Sequence, residues 1–201
     1  MRRYLALGDS YTIGEGVTDQ ECWPNQLVGL LRAKGIEIGA AHLIARTAWT
    51  TDELTDAMDA EGPKGPFDLV TLLIGVNDHY RSRPVQPFAT EFTELLRRAK
   101  RLSGNRASRT IAISIPDWGA TPFAEGRDRK LISGEIETYN ARARELATAA
   151  GARWVDVTEI SRDMLHDQTL VAVDGLHPTA AMYRRWAEQI LPTAIAVLAP
   201  R

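Results

Sequence analysis

Along this chain, short apolar runs alternate with longer stretches in which apolar side chains recur at a helical period. Tyr4–Gly8, Ala41–Ala45, Leu69–Ile74, Thr110–Ile115 and Arg153–Val157, each bounded by Gly, Pro or charged residues, read as buried strands. Between them Trp23, Leu27 and Leu30/Leu31 share one helical face. Phe88, Phe92, Leu95/Leu96 and Ala99 share another, and Ile132, Ile136, Tyr139/Asn140, Ala143 and Ala147 a third. Thr50-Thr51-Asp52-Glu53 reads as a capping box that opens a helix. Pro178 fits the first turn of a last helix running to about Ala199. Strands alternating with helices predict an α/β fold, with a five-stranded parallel sheet covered on both faces. No repeat or linker divides the chain, so residues 1–201 are expected to form a single domain.

Parallel sheets gather reactive groups beyond the carboxyl ends of their strands. Gly8-Asp9-Ser10 follows the first run, Arg46-Thr47-Ala48-Trp49 the second and Gly75-Val76-Asn77-Asp78 the third. Asp174-Gly175-Leu176-His177-Pro178 precedes the last helix. A serine hydroxyl becomes a competent nucleophile when a neighbouring histidine takes its proton, and that histidine needs a carboxylate to fix its tautomer. Asp174 lies three positions before His177 in a Gly-containing turn, within reach of Nδ1. A tetrahedral oxyanion needs preorganised donors, for which the candidates are the backbone N–H groups of Ser10 and Ala48 and the side-chain amide of Asn77.

In this order and spacing, Gly8-Asp9-Ser10, Gly75-Val76-Asn77-Asp78 and Asp174-Gly175-Leu176-His177-Pro178 resemble the SGNH (GDSL) hydrolases over nearly the whole chain. The resemblance implies a flavodoxin-like three-layer α/β/α sandwich and ester hydrolysis without metal or other cofactor. It implies Ser10 as nucleophile, His177 as base, Asp174 as its orienting acid and Asn77 as an oxyanion donor. Two positions depart from the family pattern: Tyr11 stands where leucine is usual, and Ala48 where a glycine N–H lines the oxyanion hole. Alanine keeps that N–H, but a positive φ there strains it. The segment lacks the Gly-x-Ser-x-Gly elbow of α/β-hydrolases.

Acidic and basic residues nearly cancel, at 26 against 24, which argues against a nucleic-acid or anionic-lipid partner. No run approaches the roughly 20 apolar residues of a membrane span, so stable membrane insertion is not expected. The apolar stretch after Met1-Arg2-Arg3 is too short for a signal-peptide core. With Cys22 as the only cysteine, a cytoplasmic location is expected. The expected partner is a small-molecule ester with a short acyl chain, followed by a lysophospholipid or an O-acetylated carbohydrate. The pattern assigns no oligomeric state, since buried and interface stripes look alike.

Trp49 and Trp118 are candidate apolar walls of the pocket, and Thr121–Lys130 a mobile segment over it. Asp9 reads as a backbone acceptor, Cys22 as a small buried hydrophobe, and His42, His79 and His166 as ordinary polar or core residues. Arg97, Arg98, Lys100, Arg101, Arg106 and Arg109 read as a solvated face at a helix end. Two rival readings remain open to test. One is a metal-assisted phosphoesterase using Asp9, Asn77, Asp78, His79 and His177; the other is a non-catalytic binding module that retains the fold.

Overall fold

A computed structural model describes residues 1–199, so the last two residues of the expected domain lie outside the described ones. The elements run β1 (Arg2–Asp9), α1 (Ser10–Ile13), α2 (Trp23–Ala33), β2 (Ile38–Arg46), α3 (Thr51–Glu61), β3 (Leu69–Leu73) and α4 (Val76–Tyr80). They continue with α5 (Val85–Leu102), β4 (Thr110–Ile113), α6 (Arg129–Ala149), β5 (Arg153–Val155), α7 (Thr158–Ser161) and α8 (Ala180–Leu198). The five strands form one parallel sheet in the order β2-β1-β3-β4-β5. This is the flavodoxin-like order of a three-layer α/β/α sandwich.

The apolar periodicity explains the layers. On α5, Phe88, Phe92, Leu95, Leu96 and Ala99 are buried along one stripe that faces β3 and β4, with α3 and α6 packed beside it. Packed against each other, α2 and α8 cover the opposite face. Every residue of β3 is buried, because strand neighbours flank it and helices cover it above and below. Truncating one of its leucines, such as Leu72, to alanine is expected to cost about 2–5 kcal/mol.

Five buried strands are expected from the sequence, and three are buried throughout most of their length. The exceptions are the edge strands: β2 buries only Ile38 and Ile44 among its nine residues, the rest being half-buried or exposed, and β5 buries only Val155 among its three residues. Each has a single strand neighbour. A second difference concerns Pro178. It lies before the N-cap Thr179 of α8 rather than inside the first turn, and it pairs as an isolated antiparallel bridge with Val171. Proline's fixed φ suits that extended approach equally well.

From β1 the chain first moves outward to β2, then returns across to β3 on the other side. The crevice beyond the carboxyl ends of β1 and β3 is therefore the topological switch point, where ligands bind in open α/β sheets. Ser10 follows β1 directly, and Asn77 stands on the short helix just after β3.

Candidate active site

Gly8 shows why the first motif folds as it does. A Cβ at this position would lie 2.1 Å from Thr12 Oγ1 and 2.5 Å from the Leu73 carbonyl oxygen, so only glycine lets Thr12 of α1 and the end of β3 approach β1 this closely. Asp9 then caps α1, its Oδ1 accepting the Tyr11 N–H at 3.0 Å. Burial pushes the Asp9 carboxyl up to about 8, despite that hydrogen bond. Ser10 itself is buried, at 4% exposure, and presents Oγ to the crevice.

Opposite it, the loop before α8 presents His177. Its Nε2 lies 2.9 Å from Ser10 Oγ, and its Nδ1 lies 2.6 Å from Asp174 Oδ2. The other Asp174 oxygen accepts the N–H groups of Leu176 and His177, both at 2.9 Å, which locks the carboxylate in the turn. Partial burial alone would raise its pKa. The bonds from the His177 ring and the two backbone N–H groups outweigh burial and hold the carboxyl below the usual range. An ionised Asp174 accepts the Nδ1 proton and leaves Nε2 free to accept from Ser10. Tyr11 packs its ring 5.1 Å from the imidazole and further restricts it.

On the far wall stand Ala48 and Asn77. Ala48 has φ +68°, the left-handed conformation that strains an alanine. The turn is held from outside, since Arg81 Nη2 donates to the Ala48 carbonyl at 2.6 Å and Trp49 N–H donates back to Arg46. Asn77 Nδ2 donates one proton to the Trp49 carbonyl at 2.9 Å. An amide has two such protons, so this bond fixes the group while leaving the second available. Asn77 is carried by α4, whose N-cap Gly75 has φ +124° and would drive a Cβ to 2.6 Å from the Phe88 ring.

Ser10, Ala48, Asn77 and His177 thus line one cleft of about 190 Å³. Trp118 forms part of its wall, and so do Tyr11, Val76, Tyr80, Phe123 and Leu176. Trp49 does not: its indole packs half-buried against the core, and its backbone carbonyl is the part that matters to the site. Tyr80 was detectable, being three residues after Asn77 on the same helical face. Phe123 carried no signal, because nothing local ties Pro122-Phe123 to the strand ends. Within Thr121–Lys130, a short turn over Pro122–Ala124 is fastened where Phe123 N–H donates to the Gly175 carbonyl at 2.9 Å.

The five residues of the metal reading do not converge. Asp78 is buried, accepts from Thr51 and pairs with Arg83 at 2.8 Å. His79 accepts the Trp118 indole N–H at Nδ1 and meets Glu135 at Nε2, while His177 is engaged by Ser10 and Asp174. Asp52, Asp78 and Glu91 do cluster, but Arg83 pairs with all three. A larger hollow of about 450 Å³ lies at the amino ends of the strands, lined by Arg2, Arg106, Arg109 and Arg153, with no serine–histidine pair. Within the basic helix end, Arg97 and Arg98 pair with Glu94, Arg98 also with Asp59, and Arg109 with Asp68.

A model of the GDSL-like lipase/acylhydrolase family matches residues 6–185. No curated protein sequence matches the chain. Among solved structures, it is similar to the psychrotrophic esterase EstA from a Pseudoalteromonas species, with a TM-score of 0.75 and 18% identity over 98% of this chain and 99% of that one. It is also similar to a lipase/acylhydrolase from Enterococcus faecalis, with a TM-score of 0.70 and 21% identity over 100% and 99%. A third is the acetylxylan esterase Axe2 from Geobacillus stearothermophilus, with a TM-score of 0.70 and 17% identity over 100% and 95%. At these identities the structural likeness concerns the fold.

Proposed function

The chain belongs to the GDSL-like lipase/acylhydrolase family, and as a carboxylic ester hydrolase of that family we propose that it cleaves a short-chain acyl ester through a covalent acyl-Ser10 intermediate. The observation that carries this reading is the continuous relay from Asp174 Oδ2 through the His177 ring to Ser10 Oγ, at 2.6 and 2.9 Å.

In the proposed reaction His177 Nε2 takes the hydroxyl proton as Ser10 Oγ bonds to the acyl carbon. The imidazolium that forms is stabilised by Asp174, which remains ionised. Negative charge develops on the former carbonyl oxygen, and the N–H groups of Ser10 and Ala48 and the second amide proton of Asn77 receive it. Collapse expels the alcohol, which takes the proton from His177. Water then enters, gives a proton to His177 and attacks the acyl-serine, and Ser10 is regenerated as the acid departs. The small cleft and its aromatic wall favour a short acyl group.

The test is an active-site phosphonate together with a chain-length series of p-nitrophenyl esters. Stoichiometric labelling at Ser10, loss of labelling and turnover in Ser10→Ala, and a rate maximum at short acyl chains are expected. Turnover that survives Ser10→Ala would overturn the proposal.

A further inference from the structure

Three aromatic rings on the cleft wall form a closed cluster around one cation. The centroids of Tyr80 and Trp118 lie 5.5 Å apart, those of Tyr80 and Phe123 5.9 Å, and those of Trp118 and Phe123 6.0 Å. Arg127 Cζ stands over all three, at 5.6, 5.5 and 5.5 Å from the Tyr80, Trp118 and Phe123 centroids. Each distance is within reach of a cation–π attraction. The rings come from three separate segments, α4 and the two short turns at Trp118–Ala120 and Pro122–Ala124. Their meeting under one guanidinium is therefore a tertiary feature.

Cation–π contact uses no N–H group, so the guanidinium keeps its planar fork of donors for another partner. Other arginines around the site have spent theirs. Arg81 bonds the Ala48 carbonyl and Glu53, Arg83 bonds Asp52, Asp78 and Glu91, and Arg129 bonds the Gly119 carbonyl. Arg127 forms no ion pair with any of the described residues, and the neighbouring Asp128 is occupied in capping α6 through the Leu131 N–H. An exposed fork of donors, seated against the aromatic wall of an apolar cleft, matches a carboxylate or phosphate bidentately.

We infer that Arg127, seated on Tyr80, Trp118 and Phe123, is a specificity residue that selects esters bearing an anionic group at the end remote from the scissile bond. The inference rests on the esterase reading above and names its substrate class: the apolar wall takes the connecting carbons, and the guanidinium takes the terminal charge. An uncharged isostere leaves the stacked cation without its partner and gains only the apolar contact.

The experiment compares matched pairs of esters in the wild type, Arg127→Met and Arg127→Lys. For a charge on the acyl side, 4-nitrophenyl hydrogen glutarate is set against its neutral methyl ester. For the alcohol side, 4-acetoxybenzoate is set against methyl 4-acetoxybenzoate, with 4-acetoxyphenyl phosphate as the phosphate arm. In at least one pair kcat/KM favours the anionic member. That ratio falls about tenfold or more in Arg127→Met, recovers in part in Arg127→Lys, and shrinks with added salt. A second readout needs no turnover: calorimetric affinity of the same anionic esters for Ser10→Ala, which drops about tenfold when Arg127→Met is added. Ratios and affinities indifferent to Arg127 in every pair would overturn the inference. Absence of Ser10-dependent turnover would overturn the esterase reading instead, with the calorimetric comparison still deciding the role of Arg127.

Discussion

His79 Nδ1 accepts the indole N–H of Trp118 at 3.1 Å, in a buried contact behind the wall of the cleft. Indole nitrogen only donates, so Nδ1 is the unprotonated nitrogen and Nε2 carries the hydrogen directed at Glu135 Oε2, 2.9 Å away. His79→Leu removes the acceptor and strands a buried donor. A loss of about 1–3 kcal/mol in unfolding free energy is expected, measured by urea denaturation. Because Trp118 lines the cleft, KM for ester substrates is expected to rise more than kcat falls. Unchanged stability together with unchanged KM would show that the indole holds its place unaided.

Asn77 joins the third strand end to the second by donating to the Trp49 carbonyl. Asn77→Ala removes both that tether and the proposed oxyanion donor. Losing one such donor lowers kcat about 10²–10³-fold with a smaller change in KM. Steady-state kinetics on a short p-nitrophenyl ester checks this, and a loss confined to KM would assign Asn77 to ground-state binding alone.

Ala48 is held at φ +68°. An L-residue pays about 1–2 kcal/mol for that conformation, and glycine escapes it at a cost of about 0.4–1 kcal/mol through its looser unfolded chain. Ala48→Gly is therefore expected to stabilise the protein by up to about 1.6 kcal/mol, seen as a higher midpoint in chemical denaturation. A lower midpoint would mean that the methyl makes contacts worth more than the strain.

Asp9 gives the fold a pH dependence whose sign follows from burial. Its carboxyl titrates at about 8 in the folded protein, against about 4 in an unfolded chain. Below the lower value both states are protonated and the contribution is fully present. Between the two values the unfolded chain releases a proton that the folded one retains, so stability falls as pH rises, by at most about 1.4 kcal/mol per pH unit. Asp9→Asn keeps the acceptor for Tyr11 and cannot ionise. Relative to this variant, the wild type is expected to lose stability between pH 5 and pH 8, and parallel profiles would refute the assignment.

The residues of the relay were legible because each sits in a local string at a strand end, where chain direction alone decides which side of the sheet it reaches. The parallel order followed from apolar runs separated by helical stretches. Burial of β2 and β5 was misjudged because a run of apolar letters does not reveal whether a strand has neighbours on both sides. Trp49 was misassigned for a related reason: a large indole invites a role for the side chain, whereas the turn before α3 offers the backbone carbonyl to Asn77. The partners of Arg127 were invisible, since its three rings come from separate stretches of sequence and meet only in the folded molecule.

Ser10 lies near the beginning of the chain and His177 just before its last helix, and they touch across a separation of 167 positions. During synthesis the proposed nucleophile emerges from the ribosome long before its proposed base exists. A nascent chain, or one cut short ahead of His177, consequently carries an ordinary alcohol at Ser10. On the proposed mechanism, reactivity toward esters is thus reserved for a chain in which these two distant segments have met, which makes ester turnover a stringent reporter of correct folding across the sheet.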